Sequence, residues 1–105
     1  KRMINIDRAL RSSIRTGKVV LGSNLTLEAG ASGQAKLVIN AIDCPEEVER
    51  ELRKADVPIY SYSGRGKDLG SACGKPFSVA ALAVIEPGES EIMALLREIR
   101  GIEDE

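Results

Sequence analysis

The stretch from Lys18 to Gly33, KVVLGSNLTLEAGASG, reads as a strand, a turn and a helix in immediate succession. KVVLG (18–22) is a short apolar run whose paired valines favour a buried strand, and Gly22 supplies a tight turn at its end. Ser23 or Asn24 is placed to act as N-cap of the helix that follows, in which Leu25, Ala29 and Ser32 share a face before Gly33 closes it. A strand that passes through a glycine turn directly into a helix is the unit of a layered α/β fold, so the question is how often the unit recurs.

It recurs along the whole chain. Upstream, Met3, Ile6, Leu10 and Ile14 fall at helical spacing with Arg8, Arg11 and Arg15 between them, which predicts an amphipathic helix over 4–16 closed by Gly17. Downstream, KLVINA (36–41) reads as a second strand. Asp43 and Glu46 then form a capping-box-like pair, Pro45 suits a first turn, and Val48, Leu52 and Ala55 make the stripe of a helix running to about Ala55. VPIYSYS (57–63) alternates as a third strand, and a glycine-rich loop leads into a short helix near Lys67 to Cys73. SVAALAVIE (78–86) is the most apolar strand. Ile92, Leu95, Leu96 and Ile99 predict a last helix within PGESEIMALLREIRG (87–101). Five helices alternate with four strands, which implies a sheet with helices on its faces. At 105 residues, with neither repeat nor linker, the chain reads as one domain over 1–105, with about 101–105 a frayed acidic tail.

Composition excludes several kinds of function. There is no histidine, so neither a Ser/His/Asp triad nor a Cys/His pair can be built, and no carboxylate or lysine is singled out for acid–base work. An enzyme is not expected. The two cysteines, Cys44 and Cys73, form no CxxC spacing and read as small apolar residues, so neither a disulfide framework, a metal site nor a cofactor is implied. No apolar run reaches membrane-spanning length and KRMINIDRAL lacks the apolar stretch of a secretion signal, which makes the cytoplasm the expected compartment and a membrane partner unexpected. The net charge of −1 hides an uneven distribution: residues 1–40 carry seven basic and two acidic groups, and residues 65–85 three and one, while 41–64 and 86–105 are acidic. Two basic blocks on one face would make a local anion-attracting patch; the alternative is a set of solvated faces.

Three turns join a strand to a helix: Gly22 to Thr26, Ala41 to Pro45, and Gly64 to Asp68 with its continuation Gly74 to Ser78. In a sheet whose strands largely run the same way such turns gather at one edge. A composite site there would hold Ser23, Asn24 and Thr26, the cations Arg65, Lys67 and Lys75, glycines at 22, 64, 66 and 74, and Phe77, the chain's only phenylalanine. Glycine for close backbone approach, cations for phosphates, an amide for base edges and an aromatic face for stacking are what recognition of unstacked RNA bases requires. Taken singly, Phe77 has an equally ordinary reading as a core residue. GRGKDLG (64–70), with Glu86 further on, loosely suggests a dinucleotide fingerprint, but its glycine spacing is one residue too long and the following helix is too short for a βαβ crossover.

TGKVVLGSN, AKLVINA and DLGSACGKPFSVAALAVIEPGES, with their spacing, resemble the L-seven-Ae superfamily of kink-turn RNA binders, and within it the branch found in the large ribosomal subunit of archaea and eukaryotes. The resemblance runs from about Ile4 to Ile92, and is most specific from Asp68 to Ser90. It implies a three-layer α/β/α sandwich with a four-stranded mixed sheet, and a cytoplasmic, non-enzymatic constituent of the large subunit. Such a protein binds ribosomal RNA at a kink-turn-like internal loop built on sheared G·A pairs, is a monomer when free, and has other ribosomal proteins as neighbours. Carried over, Gly22 would permit close approach, and Ser23, Asn24, Leu25 and Thr26 would enter the groove at the G·A pairs. Asp43 would lie in the second contact turn, and Gly74, Lys75, Pro76 and Phe77 would meet the splayed nucleotides. Leu25 and Glu28 stand where the guide-RNA branch has an acidic residue and a lysine, which favours the ribosomal branch. A paralogous binder of a guide-RNA particle, or of its own transcript, is the alternative.

Overall fold

The computed structural model describes residues 5–96. Its elements alternate as the sequence implies: α1 (Ile6–Thr16), β1 (Lys18–Leu21), α2 (Ser23–Ser32), β2 (Leu37–Asn40), α3 (Glu46–Lys54), β3 (Ile59–Ser61), α4 (Gly66–Ala72), β4 (Ala81–Glu86) and a 3-10 turn (Ile92–Ala94). The four strands form one mixed sheet in the order β1-β4-β2-β3. β4 runs antiparallel to both of its neighbours, pairing Leu82 with Leu21 of β1 and Ala81 with Asn40 of β2. β2 and β3 are parallel, with Asn40 opposite Ser61. Strands β1, β2 and β3 therefore all end at the edge where β4 begins.

Side-chain alternation along the central strands separates two cores. Leu37 and Ile39 of β2, with Leu82 and Val84 of β4, face Leu10, Leu69, Ile92 and Leu95, so α1, α4 and the 3-10 turn cover one side. Val38, Ala81 and Ala83 face Ala29 and Leu52, so α2 and α3 cover the other. The result is a three-layer α/β/α sandwich. Both faces of β2 are buried, as its unbroken apolar run requires. Each fully buried Leu or Ile here contributes about 1.5–3 kcal/mol relative to an exposed one.

Several ends differ from the sequence reading, each for a local reason. α1 begins at Ile6 because Asn5 caps it, its Oδ1 accepting from Arg8 N at 3.0 Å. Gly22, not Ser23 or Asn24, is the N-cap of α2; its φ of 105° lies where a side chain is strained, and both polar residues fall inside the helix. α3 starts at Glu46 with Pro45 as N-cap and no side-chain cap, so the expected Asp43/Glu46 capping box does not form. β3 is limited to Ile59–Ser61, since Pro58 has no N–H to give a ladder; just beyond it, the buried Tyr62 still donates its N–H to Asn40 O at 2.8 Å. β4 starts at Ala81 because Val79 N donates instead to Gly66 O at 2.9 Å. Of the last expected helix, the described part opens as the 3-10 turn; Ile99 and the acidic tail, like Met3, lie outside the described residues.

A polar contact ties α1 to the end of β3. Tyr62 is buried, and its hydroxyl donates to Asp7 Oδ1 at 2.8 Å. Burial first, and then the Asp7 hydrogen bond and charge, push the phenol up to about 12. The protonated phenol is the form that folds, so this contact's stability is complete below the ordinary tyrosine value near 10 and is lost as pH rises toward about 12. Tyr62→Phe is expected to cost about 0.5–1.5 kcal/mol at neutral pH. Denaturant titrations should show the gap between the two proteins narrowing above about pH 10.

Candidate nucleic-acid interface

The edge at which β1, β2 and β3 end is held together by backbone hydrogen bonds between segments far apart in sequence. Gly22 N donates to Ala81 O, Ala41 N to Ala80 O, Ile42 N to Gly64 O and Val79 N to Gly66 O, all at 2.9–3.0 Å. The three strand-to-helix turns and the segment entering β4 are thus one connected surface. Asp43 adds a side-chain tie: its Oδ1 accepts from Gly66 N, the first amide of α4, at 2.8 Å. The carboxylate expected at the start of α3 serves instead as a remote cap of α4, where an anion meets the positive end of the helix. Asp68 Oδ2 accepts from Arg65 N at 2.9 Å, so both carboxylates of this region point at backbone amides.

The Gly74–Phe77 loop is anchored from both ends. Cys73 closes α4, and Gly74 N donates to Ser71 O while Lys75 N donates to Gly70 O, both at 2.9 Å, which is the paired pattern of a Schellman cap. Beyond it the chain lies back across α4. A Cβ on Gly70 would overlap the carbonyl oxygen of Phe77, so only glycine at 70 lets the loop backbone settle there. The backbone of Phe77 is fixed against the helix while the residue is 55% exposed, which rules out the core reading.

Phe77 is not alone. Leu25, at 49%, and Ile42, at 62%, are the other large exposed hydrophobic residues among those described, and all three lie on this edge. Leu25 follows β1, Phe77 precedes β4 and Ile42 follows β2, and these strands are neighbours in the sheet. Beside this row, where β3 ends, Arg65 and Lys67 are exposed, and Lys75 is half-buried. None of the three is in an ion pair among the described residues; the pairs found there are Lys36–Glu86, Arg50–Glu46, Arg53–Glu49 and Lys54–Glu51.

Of the other residues expected at the site, Asn24, Gly74 and Pro76 are exposed, and Gly22 and Ser23 half-buried. Thr26 is fully buried, so its side chain lies beneath the turn rather than on it, and its hydroxyl has no hydrogen-bond partner among the described residues. Ile42 escaped the sequence reading. The signal was an isoleucine two residues past the end of a buried strand, in front of Asp-Cys-Pro, where turn chemistry calls for a polar residue. Both cysteines are buried and free. Burial, followed by the Glu49 and Asp43 charges, raises the Cys44 thiol, and burial pushes that of Cys73 up to about 11, so neither offers a thiolate at neutral pH.

Compared with known proteins, residues 4–94 match the model of the family described as ribosomal protein L7Ae/L30e/S12e/Gadd45. The chain belongs to this family. Among its relatives, the large ribosomal subunit protein eL30 of Methanothrix thermoacetophila is 73% identical over 103 residues, covering 98% of this chain and all of the relative. The proteins of the same name from Methanospirillum hungatei and Methanosarcina mazei are 47% and 42% identical over 95 and 94 residues, each covering 90% of this chain. The match to the family includes all four segments of the connected edge, from Gly22 to Val79.

Gly70→Ala is expected to lift the Phe77 loop from α4 and to cost about 1–3 kcal/mol, as overpacking against backbone does. Asp43→Ala leaves the first amide of α4 without its acceptor and is expected to cost about 1 kcal/mol. Chemical denaturation measures both, and amide hydrogen exchange should localise the second effect to Gly66–Leu69.

Proposed function

We propose that this chain is a structural, non-enzymatic constituent of the large ribosomal subunit that holds ribosomal RNA at a kink-turn-like internal loop. The observation that carries the reading is the set Leu25, Phe77 and Ile42, exposed on a hydrogen-bonded edge beside cations that have no acidic partner among the described residues. Large apolar side chains displayed on a rigid rim suit unstacked bases rather than phosphates. The family membership and the ribosomal relatives support the same conclusion.

In this reading the positive-φ turn at Gly22 brings backbone close to the bent RNA, and Ser23, Asn24 and Leu25 meet the sheared G·A pairs from the first turn of α2. Thr26 supports that turn from beneath. Gly74, Lys75 and Pro76 present Phe77 to a splayed base, and Asp43 holds the second and third turns in register rather than touching RNA. Arg65, Lys67 and Lys75 contact phosphates, which fixes position without reading sequence. The free protein is a monomer, and it works in the cytoplasm as part of the ribosome.

Titration against a short RNA containing a kink-turn, with a straight duplex as control, tests this reading directly. Preference for the kink-turn is the expected result, and equal affinity for both would refute it. Phe77→Ala should weaken kink-turn binding by about 1–3 kcal/mol while leaving the melting transition in place. Wild-type affinity should fall steeply between about 50 and 200 mM salt, with a slope reflecting a handful of phosphates.

A further inference from the structure

One strongly charged surface lies outside the edge just described. Arg8, Arg11 and Arg15 of α1 sit at i, i+3 and i+7, within about 60° of arc and over roughly 10 Å of helix. All three are exposed. None has an acidic partner among the described residues, in contrast with α3, where Arg50, Arg53 and Lys54 are each paired with a glutamate one turn away. The one acidic residue of α1, Asp7, is taken up by the Tyr62 hydroxyl. Among the described residues, the cations of α3 are paired with carboxylates and those of α1 are not.

The direction of α1 gives the stripe a destination. Its first turn meets Tyr62, at the rim where β3 ends, and its last residue, Thr16, meets the opposite rim through a hydrogen bond from Glu89 N at 2.9 Å. Midway, Arg11 donates to Ala72 O at 3.1 Å and to Ser71 O at 3.4 Å, at the end of α4 just before the Gly74–Phe77 loop. An arginine has more N–H groups than these contacts use, so Arg11 joins the stripe to the loop and still presents its charge. From Lys75 through Arg11 to Arg15 the cations leave the rim and run down one side of the sandwich.

We propose that α1 is a second RNA-binding surface, on which Arg8, Arg11 and Arg15 take the sugar-phosphate backbone of a helix extending away from the bend. The chemistry suits phosphate: three guanidinium groups in a line, with no large exposed apolar side chain beside them among the described residues, offer forked donors and positive charge to anionic oxygens. The inference rests on the RNA-binding reading of the rim but is separable from it, because the rim acts on the bend and α1 on the flanking duplex.

The test uses the full chain, a kink-turn RNA with short stems, and the same RNA with one stem lengthened by a helical turn. The double variant Arg8→Gln, Arg15→Gln leaves Arg11 on α4, and glutamine keeps the helix propensity. Arg50→Gln, Arg53→Gln removes the same charge from α3 and serves as control. On the lengthened RNA the α1 variant should lose about two from the slope of log affinity against log salt, so that raising salt from about 50 to 200 mM weakens the wild type roughly tenfold more. The control should match the wild type, and on the short RNA all three should agree. Equal losses in the α1 and α3 variants, or an unchanged slope, overturn the proposal, as does failure of any protein to bind RNA at the lower salt. If the wild type binds both RNAs no better than a plain duplex but the slopes still separate, the kink-turn reading falls and the α1 surface stands. Poly-L-glutamate is the remaining arm: loss of its binding in the α1 variant, with RNA binding intact, would assign the stripe to an acidic protein and overturn the proposal.

Discussion

The antiparallel entry of β4 between β1 and β2 is the constraint from which the rest follows. Because β4 begins where its neighbours end, the loop that precedes it is delivered to the same rim as the three strand-to-helix turns. Amides of Gly22 and Ala41 then close onto the carbonyls of Ala81 and Ala80, and Val79 closes onto Gly66. Segments spread over some sixty residues of sequence become one surface, and a rigid one, because its ties are main-chain bonds that few substitutions remove. A parallel β4 would have placed Phe77 on the far side of the sandwich.

Much of this was legible from spacing. The alternation of apolar runs with glycine turns gave the element order, and the lone phenylalanine beside four nearby glycines pointed to the rim. What was not legible was long-range. Asp43 and Glu46 satisfy the local capping pattern, yet the carboxylate finds Gly66, twenty-three residues away, because the parallel pairing of β2 and β3 sets their turns side by side. Thr26 looks like a surface turn residue, but a helix that starts immediately at Gly22 rotates it inward. Ile42 has the composition of a core residue, and only the end of β2 at Asn40 puts it outside. In each case the deciding partner comes from another part of the chain, which no window of local sequence contains.

Charge shows the same division. A net charge of −1 would discourage a nucleic-acid reading if the sum were what a polyanion met. A phosphate approaching the rim meets instead Arg65, Lys67 and Lys75, with Asp43 and Asp68 turned onto amides, while the acid-rich helix α3 covers the other face of the sheet. Screening over about 8–10 Å at ordinary ionic strength makes the near face count for more than the total.

The sheet has two outer strands, and both are poor templates. β3 is three residues long, and β1 is four, starting with exposed Lys18 at a bulge in its pairing with β4. Short, kinked and charged margins resist edge-to-edge pairing with another copy. Neither margin therefore offers a second copy more than a few backbone groups from which to extend the sheet.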